Sequence, residues 1–220
     1  MSGKISASSR GSGALAPLPR SFYERHPRIV ARALLGRILL RRLPSGQVVS
    51  GRVVETEAYL GEADLAAHSA VGKTPRNEVM FGPAGHAYVY LSYGMHYCMN
   101  VSCEFPGKAG AVLFRALEPI SGIEQMEKWR KLSLRPDPDI RDLILLTSGP
   151  GRLAQALNIS RTADNAKDLT LPDSDLFIAD DGAQKRPRII TGPRVGITKS
   201  ADLPLRFYIA GNPFVSGKKN

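Results

Sequence analysis

Two strands carry polar residues that a buried sheet would not hold without a use for them. In "VVETEAYLG" the alternation of Val53, Glu55, Glu57 and Tyr59 places two carboxylates and a phenol on one strand face. Such a pair is a solvated face, a structural ion pair, or a site. The second intrusion is Arg115 in "AVLFRALEP", an otherwise apolar strand. A buried guanidinium needs an anionic partner, so Arg115 is expected to pair with Glu55 or Glu57. A carboxylate held by an arginine in a cleft could anchor a nucleophilic water. The sequence separation of two argues against a pair of carboxylates working across one bond, because it sets them side by side. One of the two could then act while the other has a structural role, and the spacing does not say which.

Rings gather near these residues: Tyr59, His68, Tyr90 and Tyr97. Together they could stack on a flat heterocycle. The stretch "HAYVYLSYGMHYCMN" alternates on both sides of Ser92-Tyr93-Gly94, the pattern of a β-hairpin. Turn tips favour Asn, Asp and Gly, so Tyr93 either folds back over its own strands or serves as a wedge for something outside the protein. Proteins that act on a nucleobase extrude it, sandwich it between aromatic side chains and fill the gap with a wedge.

Composition narrows the partner. The 220 residues are 43% hydrophobic and 23% charged, with a formal charge of +10 and pI near 9.9. One domain with a sizeable core and a polyanionic partner is the expectation. No apolar run reaches the ~20 residues of a membrane span, which favours nucleic acid. Cys98 and Cys103, in C-x4-C spacing, suit neither a zinc knuckle nor a disulfide framework and point to reduced thiols inside a cell. No G-x-G-x-x-G or Walker loop supports a nucleotide cofactor, and the H-x-E with P-C-x-x-C zinc signature of base deaminases is absent. An amine nucleophile near these segments could come only from Lys73.

The positioning elements follow from periodicity. Residues 1–19, rich in Ser and Gly, are expected to be a disordered tail, and 20–220 one domain. Ile29, Val30, Ala33, Leu34 and Leu35 keep helical spacing up to Gly36. Two strands joined by Pro44-Ser45-Gly46 follow, then a polar helical segment near "EADLAAHS" and a Pro-initiated "TPRNEVMFG". After the hairpin and the "AGAVLFRALEP" strand come helices in "GIEQMEKWRKL" and "SGPGRLAQALNI". The segment "RKLSLRPDPDIRD" reads as a long surface connection. Strands are expected in "DLFIAD", "PRIITGPRVGI" and "LPLRFYIAG". This order indicates an α/β protein of the α+β type: a curved, mostly antiparallel sheet, surrounding helices and a protruding hairpin.

The run "GRVVETEAYLGEADLAAHSAVGKTPRNEVMFGPAGHAYVYLSYGMHYCMNVS", with "LFRALEP", "SGPGRLAQAL" and "PLRFY", closely resembles the alkyladenine (3-methyladenine) DNA glycosylases of the mammalian type from about Arg20 onward. The resemblance implies a monofunctional enzyme of base excision repair, without metal or cofactor, acting as a monomer on double-stranded DNA that contains alkylated or deaminated purines. It would work in the cytoplasm on the nucleoid of a bacterium, or in the nucleus or an organelle of a eukaryote. By position, Glu57 falls on the general base and Arg115 on the arginine that helps hold the attacking water. Tyr59, His68 and Tyr90 fall on the walls of the base pocket, Met95 beside them on the hairpin, and Asn100 on the residue that collides with the exocyclic amine of guanine. Tyr93 matches the intercalating tyrosine, while Arg152 and Arg161 fall at or near phosphate contacts. A catalytically silent, lesion-sensing DNA-binding protein is the alternative.

Overall fold

The computed structural model describes residues 15–182 and 187–217. The first fourteen residues of the expected tail lie outside the described residues. The tail's last five do not behave as one: Pro17 bridges Ala179, the Leu18 N–H donates to the Ile178 carbonyl at 2.8 Å, and Leu18 is buried. An apolar Leu-Ala-Pro-Leu run has core to cover, and that outweighs the Ser/Gly-rich context before it.

Among the described residues the α-helices are α1 (Arg20–Tyr23), α2 (Pro27–Leu34), α3 (Ile123–Arg130), α4 (Ile140–Thr147), α5 (Pro150–Ala156) and α6 (Arg161–Asp164). The strands are β1 (Ile38–Arg42), β2 (Val48–Tyr59), β3 (Ala87–Ser92), β4 (His96–Cys103), β5 (Gly110–Ser121), β6 (Leu176–Ala179), β7 (Ile189–Gly192) and β8 (Arg206–Ile209). They form one curled antiparallel sheet in the order β3-β4-β5-β2-β1-β6, with β8 also paired to β2 and β7 to β8. The molecule is thus a single mixed α/β domain, as the order of elements led one to expect.

Strand β2 organises the sheet. Its first half lies between β5 and β1, its second between β5 and β8. Pairing to β5 slips between Val53 and Glu55, and again between Glu55 and Thr56. These bulges break the strict alternation read from the sequence. Val53 packs in the main core and Val54 in a separate cluster with Ala116 and Phe214. Beyond the bulges, Thr56 and Ala58 face the core, where the Thr56 hydroxyl donates to Ala31 of α2 at 3.0 Å. Glu55, Glu57 and Tyr59 therefore take the other face.

The same face continues across the sheet. Register runs Tyr88↔Asn100 from β3 to β4, Asn100↔Leu113 to β5, Leu113↔Glu57 to β2 and Glu57↔Arg206 to β8. Alternate residues Val89, Met99, Val101, Val112 and Phe114 fill the core behind this row. Tyr97, grouped with the other rings from the sequence, has the opposite parity and packs against that core. Ile29, expected on the buried face of α2, is half exposed, and Ala31 is buried in its place.

Three further differences concern helices. The segment after Leu132 is a connection as far as Asp139, but α4 begins at Ile140, where Asp139 and Asp142 form a reciprocal capping box. The short helices α1 and α6 left no periodic trace. The region from Glu62 to Phe81 is built of turns and two 3₁₀ segments, His68–Val71 and Glu78–Phe81, and not of an α-helix.

Candidate active site

The front face of this row floors a cleft of about 490 Å³, walled by the 3₁₀ region, the hairpin and the loop between β7 and β8. Glu57 is fully buried at its floor. Its Oε1 accepts from the Val195 N–H at 2.8 Å and lies 3.2 Å from Nη1 of Arg115; its Oε2 accepts from the Tyr59 hydroxyl at 3.1 Å. Burial pushes the Glu57 carboxyl above the usual carboxylate range; Arg115, the Val195 N–H and Tyr59 pull it back, and Glu55 adds to the rise. A carboxylate held this way has more proton affinity than one in water, which suits a general base.

Arg115 bridges both glutamates. Its Nε donates to Glu55 Oε1 at 2.9 Å and its Nη2 to the Ser216 hydroxyl at 3.1 Å. Burial works against its charge, but Glu57 and Glu55 outweigh that and its pKa is raised. Glu55, also fully buried, takes two more donors: Arg206 Nε at 2.6 Å to Oε1 and the Ser216 N–H at 2.6 Å to Oε2. Arg206 closes the network by donating from Nη2 to the Ser216 carbonyl at 2.7 Å. Two carboxylates face two guanidiniums, so the buried cluster is formally neutral. The pairing expected for Arg115 includes both glutamates, and Glu55 is the one in structural surroundings.

The rings stand above this floor. Tyr59, His68 and Tyr90 line the cleft. His68 meets Tyr90 edge to face at 4.5 Å between ring centres, and its Nδ1 lies 2.8 Å from the Tyr88 hydroxyl. Burial and the Arg76 charge hold the His68 ring below its ordinary pKa, so it is neutral at pH 7. Burial raises the Tyr59 and Tyr90 phenols, which stay protonated. Asn100 is buried on the wall, its side-chain amide donating to the Tyr88 carbonyl at 3.2 Å.

At the hairpin tip Tyr93 and Gly94 both have positive φ, 48° and 69°, and the Met95 N–H donates to the Ser92 carbonyl at 3.1 Å. A primed hairpin turn asks for this backbone, which a tyrosine adopts only at a cost. The Tyr93 side chain is 85% exposed, which removes the reading of a ring folded over its own strands. Met95 stands beside it, 71% exposed, beyond the last strand pair Ser92↔His96. It is absent from the cleft lining, so its place is the tip and not the pocket.

Arg152 in α5 and Arg161 opening α6 are both exposed and outside the cleft, Arg152 two residues from Pro150 on its rim. Lys73 is exposed and also absent from the cleft lining. Cys98 and Cys103 are buried free thiols.

The model of one protein family, described as methylpurine-DNA glycosylase, matches residues 21–213. The chain belongs to the methylpurine-DNA glycosylase family. A protein of Koribacter versatilis named "Putative 3-methyladenine DNA glycosylase" is 58% identical over 93% of this chain and 95% of its own. Proteins of the same name from Rhodopseudomonas palustris and the archaeon Methanocella arvoryzae are 48% and 45% identical, over 98% and 90% of this chain and 98% and 95% of their own. These relatives are bacterial and archaeal, so the mammalian type named from the motifs gives way to the methylpurine-DNA glycosylase family as a whole.

Several residues of this family member's site were not singled out from its sequence: Asp64, Arg76, Arg194, Val195, Arg206 and Ser216. Arg206 carried the same signal as Arg115, an arginine inside an apolar strand. Arg194 and Val195 sit in a Gly- and Pro-rich loop, where neither residue type is conspicuous.

The two glutamates should respond differently to neutralisation. Charging Glu57 costs stability because its folded pKa lies above its unfolded one; that cost grows as pH rises through this window and is fully present above it. Glu57→Gln removes that cost and still leaves Arg115 paired with Glu55, so it should leave the melting temperature at pH 7 unchanged or higher. Glu55→Gln leaves Arg115 and Arg206 short of a buried partner and should cost ~3–5 kcal/mol. Thermal unfolding of the two variants at pH 7 checks this; equal destabilisation would contradict the division of roles.

Proposed function

We propose that the chain is a monofunctional DNA glycosylase of base excision repair. In this reading it acts as a monomer, turns 3-methyladenine, 7-methylguanine, hypoxanthine or ethenoadenine out of double-stranded DNA, and hydrolyses the N-glycosidic bond in the compartment that holds its DNA. The observation that carries the proposal is Glu57: a fully buried carboxylate, backed by Arg115, at the floor of a cleft walled by rings.

A purine alkylated at N3 or N7 is already cationic and leaves readily, so the protein has to expose C1′, supply water and stabilise positive charge on the sugar. Glu57 accepts a proton from water as the water oxygen bonds C1′. The C1′–N bond breaks, and its electron pair leaves with the base: an alkylated, cationic purine departs neutral, whereas hypoxanthine or ethenoadenine has to take up a proton on the ring as it leaves. The same carboxylate stabilises the oxocarbenium-like transition state. Arg115 holds Glu57 in place and orients the water. Tyr59, His68 and Tyr90 stack on the extruded base, and a cationic purine gains further from their ring faces. Tyr93 enters the vacated stack with Met95 beside it, and Arg152 and Arg161 meet phosphates.

Incubating the protein with duplexes that each carry one lesion, then cleaving abasic sites with alkali, tests the proposal. Base release without a borohydride-trapped adduct is expected. No release from any duplex, with lesion binding intact, would leave the silent DNA-binding reading.

Tyr93→Ala should weaken binding to lesion duplexes by ~1–3 kcal/mol of lost stacking with an unchanged melting temperature, as read by titration at fixed salt. Normal binding by this variant would remove the wedge. For selectivity, Asn100→Ser opens the wall where the N2 amine of guanine would lie. Excision of undamaged guanine relative to hypoxanthine, in one flanking sequence and one buffer, should rise by ~10–100-fold, the range of ~1–3 kcal/mol. An unchanged ratio would move discrimination to another residue or to the flipping step.

A further inference from the structure

The loop from 193 to 205 carries no secondary structure until β8, yet it supplies the backbone N–H that touches Glu57. What holds it is an ion pair with no exposed side-chain surface. Arg194 donates from Nη1 to Asp64 Oδ2 at 2.5 Å and from Nη2 to Asp64 Oδ1 at 2.8 Å, a two-pronged contact. The same guanidinium reaches the Ala58 carbonyl at 3.1 Å and the Ser200 carbonyl at 3.3 Å, and it lies over the Tyr59 ring at 4.7 Å. Asp64 in turn accepts from the N–H groups of Leu60 and Ala66, both at 3.2 Å. One side chain therefore ties the β7–β8 loop to the end of β2 and to the turn that leads into the His68 wall.

We infer that Asp64 and Arg194 are a positioning pair for the general base, fixing the loop so that the next residue, Val195, presents its N–H to Glu57 Oε1. The inference rests on the glycosylase reading. Neither residue touches the reacting atoms; both act through Val195 and, by the ring contact, through Tyr59. Burying a complete ion pair is expensive, and a loop needing only an anchor could use apolar packing. The fork instead specifies one loop register, on which the placement of a backbone donor depends.

The groups that face Glu57 set the sign of the test. They are Arg115 from β5, Glu55 and Tyr59 from β2, Tyr90 from β3, Cys98 from β4 and the Val195 N–H from the loop; Arg206 of β8 is engaged with Glu55. The Val195 hydrogen bond lowers the Glu57 pKa. Losing it moves the acid limb of the excision rate to higher pH, because the base must be deprotonated. Removing the Asp64 charge, or leaving Arg194 unpaired, acts through space in the opposite direction. An upward shift thus reports the displaced N–H and not the altered charge.

The experiment follows single-turnover release of 3-methyladenine and 7-methylguanine from dimethyl sulfate-treated DNA as a function of pH. It compares the wild type, Asp64→Asn, and Arg194→Lys, which keeps the charge but loses the fork. The expected result for Asp64→Asn is an acid limb moved to higher pH, with release about tenfold lower on the acid side, as for loss of one hydrogen bond to a charged group. Affinity for lesion DNA should stay within about threefold. Arg194→Lys should shift the limb in the same direction by less. An unmoved or lowered limb in the variants that fold, or cooperative folding in neither, would overturn the inference and leave the pair a stability element. Absence of release by the wild type would instead count against the glycosylase reading itself.

Discussion

A carboxylate without solvent contact on the floor of an open cleft is tolerable only if its surroundings supply what water would have, and the neighbourhood of Glu57 does so from three directions. Arg115 supplies charge, Val195 a backbone donor and Tyr59 a hydroxyl. Each supplier must itself be fixed. Arg115 is held by Glu55 and Ser216, and Glu55 is balanced by Arg206. Val195 is held by the Arg194–Asp64 pair. These residues come from three strands, β2, β5 and β8, from the loop between β7 and β8 and from the segments that follow β2 and β8, and the strands meet in the row of register that runs from Tyr88 through Glu57 to Arg206.

The hairpin shows the opposite economy. Its base is locked into that row, while its tip leaves Tyr93 and Met95 in solvent at a turn whose Tyr93 and Gly94 have positive φ. Exposure of two large apolar side chains on a strained turn makes sense when an aromatic stack receives them. The cleft and the tip share strands β3 and β4, so a base drawn out of a duplex and the wedge that replaces it would be served by one rigid element.

Much of this was legible in the sequence where polarity interrupted a pattern. Glu57 and Arg115 stood out because they sit in apolar strands, and Tyr93 because a turn rarely carries a ring. The bulges in β2 were not legible, since Val53 and Val54 are both apolar and either phase fits the residues alone. The direction of the Met95 side chain was not legible either, because resemblance gives position along the chain and not where a side chain points. The loop residues Arg194 and Val195 were missed for a related reason: a backbone N–H leaves no mark on residue type. Helix α4 was hidden behind the charged segment that supplies its capping box.

Every role proposed for the cleft depends on Glu57 as the base. Single-turnover excision by Glu57→Gln, on the lesion that the wild type excises fastest, tests it directly. The expected rate is lower by ~10²–10⁴-fold, the usual contribution of a positioned general base, with lesion binding retained because the aromatic walls and Tyr93 are untouched. A rate within about threefold of the wild type would contradict it, and the buried carboxylate would then be only a partner for Arg115.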